Sequence, residues 1–108
     1  MAFKLKTGPI TAEATITVHH PADGEITFTG KFQILKQSQY QTLVQGKKDD
    51  FQIIREVMIG WSGVTDEDGR DKPFTSDALS ELCAYSFVRT GIMRAYTDLH
   101  VGLSAPKN

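Results

Sequence analysis

Two stretches of strict alternation open the chain. Ala12, Ala14, Ile16 and Val18 take every second position, with Thr11, Glu13, Thr15 and Thr17 between them. Ile26, Phe28, Phe32 and Ile34 repeat the pattern against Glu25, Thr27, Thr29, Lys31 and Gln33. Successive side chains of a strand leave opposite faces, so a period of two predicts two strands, each with one apolar face. Pro21-Ala22-Asp23-Gly24 separates them; proline presets φ there and glycine accepts a positive φ. The pair reads as a β-hairpin whose apolar face requires a cover.

The pattern then becomes helical. Ser38-Gln39-Tyr40-Gln41 has the spacing of a capping box, and Tyr40, Leu43 and Val44 follow as a short apolar stripe that Gly46 ends. Asp49-Asp50-Phe51-Gln52 offers a second cap, leading into Phe51, Ile54 and Val57 on one helix face. Near Glu56 the character changes again. Val57-Met58-Ile59-Gly60-Trp61 is β-branched and aromatic, which predicts a third, short strand. Ser76 is suited to cap a helix carrying Leu79, Leu82 and Cys83, with Asp77 near its positive start. After a break at Tyr85-Ser86, where Ser86 could cap the next helix, Val88, Ile92, Ala95, Tyr96 and Leu99 fall at helical spacing until Gly102 and Pro106. The expected fold is α+β: an N-terminal antiparallel hairpin or small sheet with a third short strand, packed against four short helices, the last two C-terminal.

At 108 residues the chain is one domain, 1–108, with 1–9 and 103–108 expected to be flexible. A hydrophobic fraction of 40% and a charged fraction of 23% are ordinary globular values, large enough for one core without disulfides. Net charge is −1 with scattered cations, so neither a nucleic-acid stripe nor a membrane-binding patch can be read. No apolar run reaches membrane-spanning length and no signal-peptide core is present, which gives a cytoplasmic expectation.

The stretch Gly60–Leu79 concentrates a tryptophan, glycines and aspartates, and raises the question of metal binding or catalysis. Asp66, Asp68 and Asp71 surround Gly69, yet a calcium loop begun at Asp66 would place Asp71 at its sixth position and Asp77 at its twelfth. The register fails, and a structural turn explains the composition. His19 and His20 would leave opposite faces of a strand, and His100 lies far along the chain, so the histidines read as solvated. Gly60-Trp61-Ser62-Gly63 is not a nucleophile elbow, and Cys83 reads as a buried apolar residue. Neither a Gly-x-Gly-x-x-Gly run nor a P-loop is present. The residues predict no enzyme, no cofactor and no metal. Trp61 reads as a packing anchor.

Ile59-Gly60-Trp61-Ser62-Gly63-Val64, Asp66-Glu67-Asp68-Gly69 and Pro73-Phe74-Thr75-Ser76 before Leu79 resemble the tail assembly chaperones of long-tailed bacteriophages. That family carries a hydrophobic-Gly-Trp-x-Gly-Val run, an acidic Asp-x-x-Gly turn and a Pro-Phe-(x)-Ser element opening a helix. Arg94-Ala95-Tyr96-Thr97-Asp98-Leu99 matches its closing Ala-Tyr-x-x-Leu pattern. The likeness spans residues 26–101 and is densest over 59–79. Lys72 stands where the family more often has an apolar residue, Ser86 where it often has proline, and one additional residue separates Phe74 from Ser76.

The resemblance implies a protein made in the cytoplasm of the phage-bearing or prophage-bearing bacterium and left out of the finished virion. It implies binding to the tape measure protein, the long helical chain that sets tail length, and recruitment of major tail protein. In that family a ribosomal frameshift commonly yields a longer form. Gly60, Trp61, Gly63, Val64, Asp66, Gly69, Pro73, Phe74 and Ser76 are the motif positions. Phe87, Ile92, Met93, Tyr96 and Leu99 are the candidates for a partner-binding face, on helical spacing alone. Self-association through open sheet edges is a further expectation. A structural minor tail or tail-completion protein is the alternative class, and a small hydrolase or metal-dependent enzyme the third.

Overall fold

The computed structural model describes residues 2–5, 7–46 and 49–102. The elements run β1 (Ile10–His20), β2 (Gly24–Ile34), α1 (Gln37–Gln45), α2 (Asp50–Val57), β3 (Met58–Ser62), α3 (Ser76–Leu82) and α4 (Ser86–His100). The strands form one antiparallel sheet in the order β1-β2-β3. The expected α+β architecture, with two helices at the C-terminal end, is the architecture observed. The flexible stretch expected at 103–108 lies outside the described residues, and residues 2–5 and 7–9 belong to no helix or strand.

The hairpin register explains why only one face is covered. Ala12 pairs with Phe32, Ala14 with Gly30, Ile16 with Phe28 and Val18 with Ile26. Cross-strand partners share a face, so these pairs form one apolar surface. Helix α4 lies across it and buries Ala14, Ile16, Val18, Phe28 and Phe32. The opposite face pairs Glu13 with Lys31, Thr15 with Thr29, Thr17 with Thr27 and His19 with Glu25, and it faces solvent. Ile26 departs from the expected pattern. It sits on the apolar face but is 41% exposed, at the hairpin tip beyond the cover of the helices.

Gly91 sets how closely α4 approaches. A Cβ there would lie 2.5 Å from the carbonyl oxygen of Thr17, so a larger residue would lift the helix from β1. Val88, Ile92, Ala95 and Tyr96 then reach the sheet as the helical period predicts. Tyr96 is fully buried, its ring against Phe32 and Tyr40, and its hydroxyl accepts a hydrogen bond from the Leu35 amide at 3.2 Å. Burial raises the Tyr96 phenol above its usual range, with the Leu35 amide pulling it back.

Three helix starts differ from expectation. The α1 cap is Lys36, whose amide donates to Oε1 of Gln39 at 3.0 Å; Ser38 lies inside the first turn instead, its carbonyl accepting from Thr42. No residue of α1 is buried, Val44 is 45% exposed, and of the expected stripe only Tyr40 packs against the core. Thr75, not Ser76, caps α3, accepting from the Ala78 amide at 3.0 Å. The N-cap of α4 is Tyr85, with no side-chain bond, and Ser86 is its first helical residue. Asp49 caps α2 as predicted, accepting from the Gln52 amide at 2.9 Å. The change of period falls between Val57 and Met58, one residue past the expected boundary.

Candidate functional site

Trp61 is the register partner of Gly30 and therefore shares the covered face of the sheet. Its indole packs partly buried against the core, edge-on to Phe74 with ring centroids 5.0 Å apart. The indole N–H donates to the carbonyl of Lys72 at 2.8 Å, which ties β3 to the far side of the loop that follows. An indole buried on its body and satisfied at its one donor is a packing anchor.

The loop is a small hairpin of its own. Gly63, at φ +83°, lets the chain leave β3, and the Lys72 amide returns to the Val64 carbonyl at 2.9 Å. Thr65 and Asp71 pair as an isolated bridge, and the Asp66 amide donates to Arg70 at 2.9 Å. Oδ1 of Asp66 accepts from the amides of Asp68 at 2.9 Å and Arg70 at 3.1 Å. That carboxylate oxygen holds the turn, as an aspartate at the head of a tight turn does. Among the described residues no group of three or more His, Cys, Asp and Glu is placed to hold a metal ion. Pro73 and Phe74 then lead to Thr75 and into α3, so the residue that looked additional between Phe74 and Ser76 is the helix cap itself.

Between this frame and α3 lies an open groove of about 190 Å³. Trp61, Val64, Leu82 and Tyr85 supply its apolar lining, and Lys72 and Glu81 stand on it as an ion pair at 2.9 Å. Tyr85 is 59% exposed in the break between α3 and α4, its ring 5.4 Å from that of Phe87. Neither Leu82 nor Tyr85 is among the partner-binding candidates drawn from helical spacing. For Tyr85 the signal was an aromatic at the break between the last two helices, where no helix face requires one; for Leu82 there was none beyond the helical stripe.

The five predicted contact residues do not form one surface. Ile92 and Tyr96 are fully buried against the sheet, and neither is spare to the core. Their period of four is the core face of α4, which is why spacing alone selected them. Phe87, Met93 and Leu99 are half-buried and pack against the core cluster. Gly60, Trp61, Gly63, Val64, Asp66, Gly69, Pro73, Phe74 and Ser76, by contrast, all fall on β3, the loop hairpin, the short lead into α3 and the first residue of α3.

The remaining reactive side chains have structural employment. His20 is not simply solvated: its Nδ1 accepts from the amides of Ala22 at 3.1 Å and Asp23 at 3.0 Å, and its ring meets Phe87 edge-on. His100 stacks on Tyr40, with ring centroids 4.5 Å apart. Cys83 is buried, and burial pushes its thiol up to about 11, against a smaller opposing pull from Arg89. Arg89 spans two elements. A terminal guanidinium nitrogen donates to the Cys83 carbonyl at 3.0 Å, and Nε lies 3.1 Å from Oδ1 of Asp50, an ion contact outside hydrogen-bonding alignment. Among the described residues no helix is long and apolar enough to cross a membrane. No protein-family model, curated protein or solved structure matches this chain.

Proposed function

We propose that this protein is a non-enzymatic tail assembly chaperone, acting in the cytoplasm of a phage-bearing bacterium and binding the tape measure protein. One observation carries the reading. The residues behind the family resemblance, from Gly60 to Ser76, build a single hydrogen-bonded frame beside a half-open apolar groove. An amphipathic helix of a long tail-length-setting chain is suited to such a groove: its apolar ridge meets Trp61, Val64, Leu82 and Tyr85, and charges on its flanks meet Lys72 and Glu81. Holding that ridge out of water would keep the partner soluble, and major tail protein would be recruited to the resulting complex.

The test is co-expression with a tape measure protein, read as the soluble fraction of that partner and its co-purification. Wild-type protein should hold the partner in solution, and Tyr85→Asp should release it while the variant remains folded. A partner equally insoluble with and without the wild-type protein would overturn the proposal. Recovery of the protein in purified mature tails would favour a structural tail component instead.

A further inference from the structure

The hairpin turn closes on an atom that can take up a proton. His20 is the last residue of β1, and Pro21-Ala22-Asp23 makes the turn into β2. Pro21 has no amide hydrogen, so Ala22 and Asp23 are the backbone donors of the turn. Both donate to one atom, Nδ1 of His20, at 3.1 and 3.0 Å. The Asp66 turn is built in the same way, one side-chain oxygen accepting two amides. There the acceptor is a carboxylate, which accepts when charged, whereas an imidazole nitrogen accepts only while it is bare. Two amides directed at Nδ1 therefore place the ring proton on Nε2.

The surroundings of the ring are nearly free of charge. It meets Phe87 edge-on, with centroids 5.1 Å apart, and forms part of the wall of a cavity of about 210 Å³ at the hairpin tip. The other lining residues, from β1, β2, the loop after β3, α3 and α4, include no charged or titratable side chain. Tyr85, ahead of α4, packs its ring on Phe87. Gly24 stands opposite His20 in the register, and Glu25, opposite His19, lies on the other face of the sheet. The charged group beside His20 is the Asp23 carboxylate, 3.8 Å from Nδ1. Protonation reverses what Nδ1 can do, because imidazolium donates from both nitrogens and accepts at neither. Both turn amides then lose their acceptor, and the new proton turns to Asp23. We infer that the hairpin tip is a proton-operated latch: neutral His20 fastens the turn beside the cavity, and protonation of Nδ1 unfastens it. Histidine is the side chain that changes charge within the range of cellular pH, so no harsher condition is needed to work the latch.

Amide exchange with water, read by NMR on the full chain between about pH 8 and about pH 5, tests this. Each rate is compared with that of an unstructured chain at the same pH, so that only protection is scored. Protection of the Ala22 and Asp23 amides should fall about fivefold as the His20 ring takes up its proton, the effect of losing one hydrogen bond. Ring nitrogen shifts should show the proton on Nε2 at the start. Two variants separate the acceptor from the ring. An asparagine oxygen can accept from the same amides and takes up no proton, so His20→Asn should stay protected throughout. His20→Phe keeps a ring against Phe87 without an acceptor, so both amides should be unprotected throughout. His19 is present in both variants, and flat profiles there exclude it as the source of the change. Constant protection in the wild-type protein while His20 titrates overturns the inference. So does a proton on Nδ1 at neutral pH, or a pH dependence that persists in either variant.

Discussion

The interface of α4 with the sheet and the Trp61 loop with α3 are both built on aromatic anchors, yet the two regions are finished differently. In the first, Phe32, Ile16, Ile92 and Tyr96 are sealed from solvent, and Gly91 brings helix and strand into contact. In the second, Trp61, Val64, Phe74 and Leu82 are only partly covered, and order comes from backbone hydrogen bonds around Asp66 and from the Trp61–Lys72 bond. The first region is held by burial. The second is held by hydrogen bonds that leave apolar surface uncovered, which is what a surface for another polypeptide requires.

Substitutions should separate the two regions by the quantity they change. Phe32→Ala should cost about 3–5 kcal/mol, because it removes a fully buried ring from between the sheet and α4; chemical denaturation measures it. Alkaline pH should come next. The Cys83 thiol is raised from 9.0 to about 11 in the folded protein, so its contribution to stability is complete below about pH 9 and fades as pH climbs toward 11. The Tyr96 phenol, raised in the same direction, adds to that slope. Midpoints recorded between pH 8 and 11 should therefore fall, and fall less steeply in Cys83→Ala. The native thiol should also resist alkylation at neutral pH until denaturant exposes it.

Trp61→Phe should cost roughly 1 kcal/mol, the worth of the indole hydrogen bond to Lys72, while retaining most of the apolar body. Amide exchange should quicken first between Val64 and Lys72 rather than in β1 or α4, and uniform quickening would deny the loop its separate support. The smallest stability effect belongs to Tyr85→Asp. Tyr85 is the N-cap of α4 and makes no side-chain bond, so an aspartate there can accept from first-turn amides and stability should rise slightly, by about 0.5 kcal/mol, rather than fall. The same substitution should have the largest effect on partner solubility, and a comparable loss of stability would move Tyr85 into the core.

The hairpin was legible because alternation reports directly on which side of a strand faces water. Ala14, Ile16, Val18, Phe28 and Phe32 needed only their spacing to be placed. Element types were legible for the same reason, and the helix boundaries less so. Thr75 precedes Ser76, and both can accept from an amide three residues on, so composition could not separate them and backbone geometry did. The contact surface was the least legible. Ile92 and Tyr96 carry the same spacing whether a helix presents them to a partner or to its own sheet.

The sequence by itself determined the two periods, the turn chemistry of Asp66 and Gly69, and the α+β arrangement they imply, because each depends on neighbours within a few positions. Only the tertiary structure decided that Ile26 and Tyr85 stay uncovered, that His20 serves the hairpin turn and that Tyr96 is core. The exposure of Ile26 and Tyr85 follows from where α4 begins, at Ser86, relative to the hairpin tip. How closely α4 sits on the sheet, with Gly91 seated on Thr17, arises from long-range packing that no local pattern encodes.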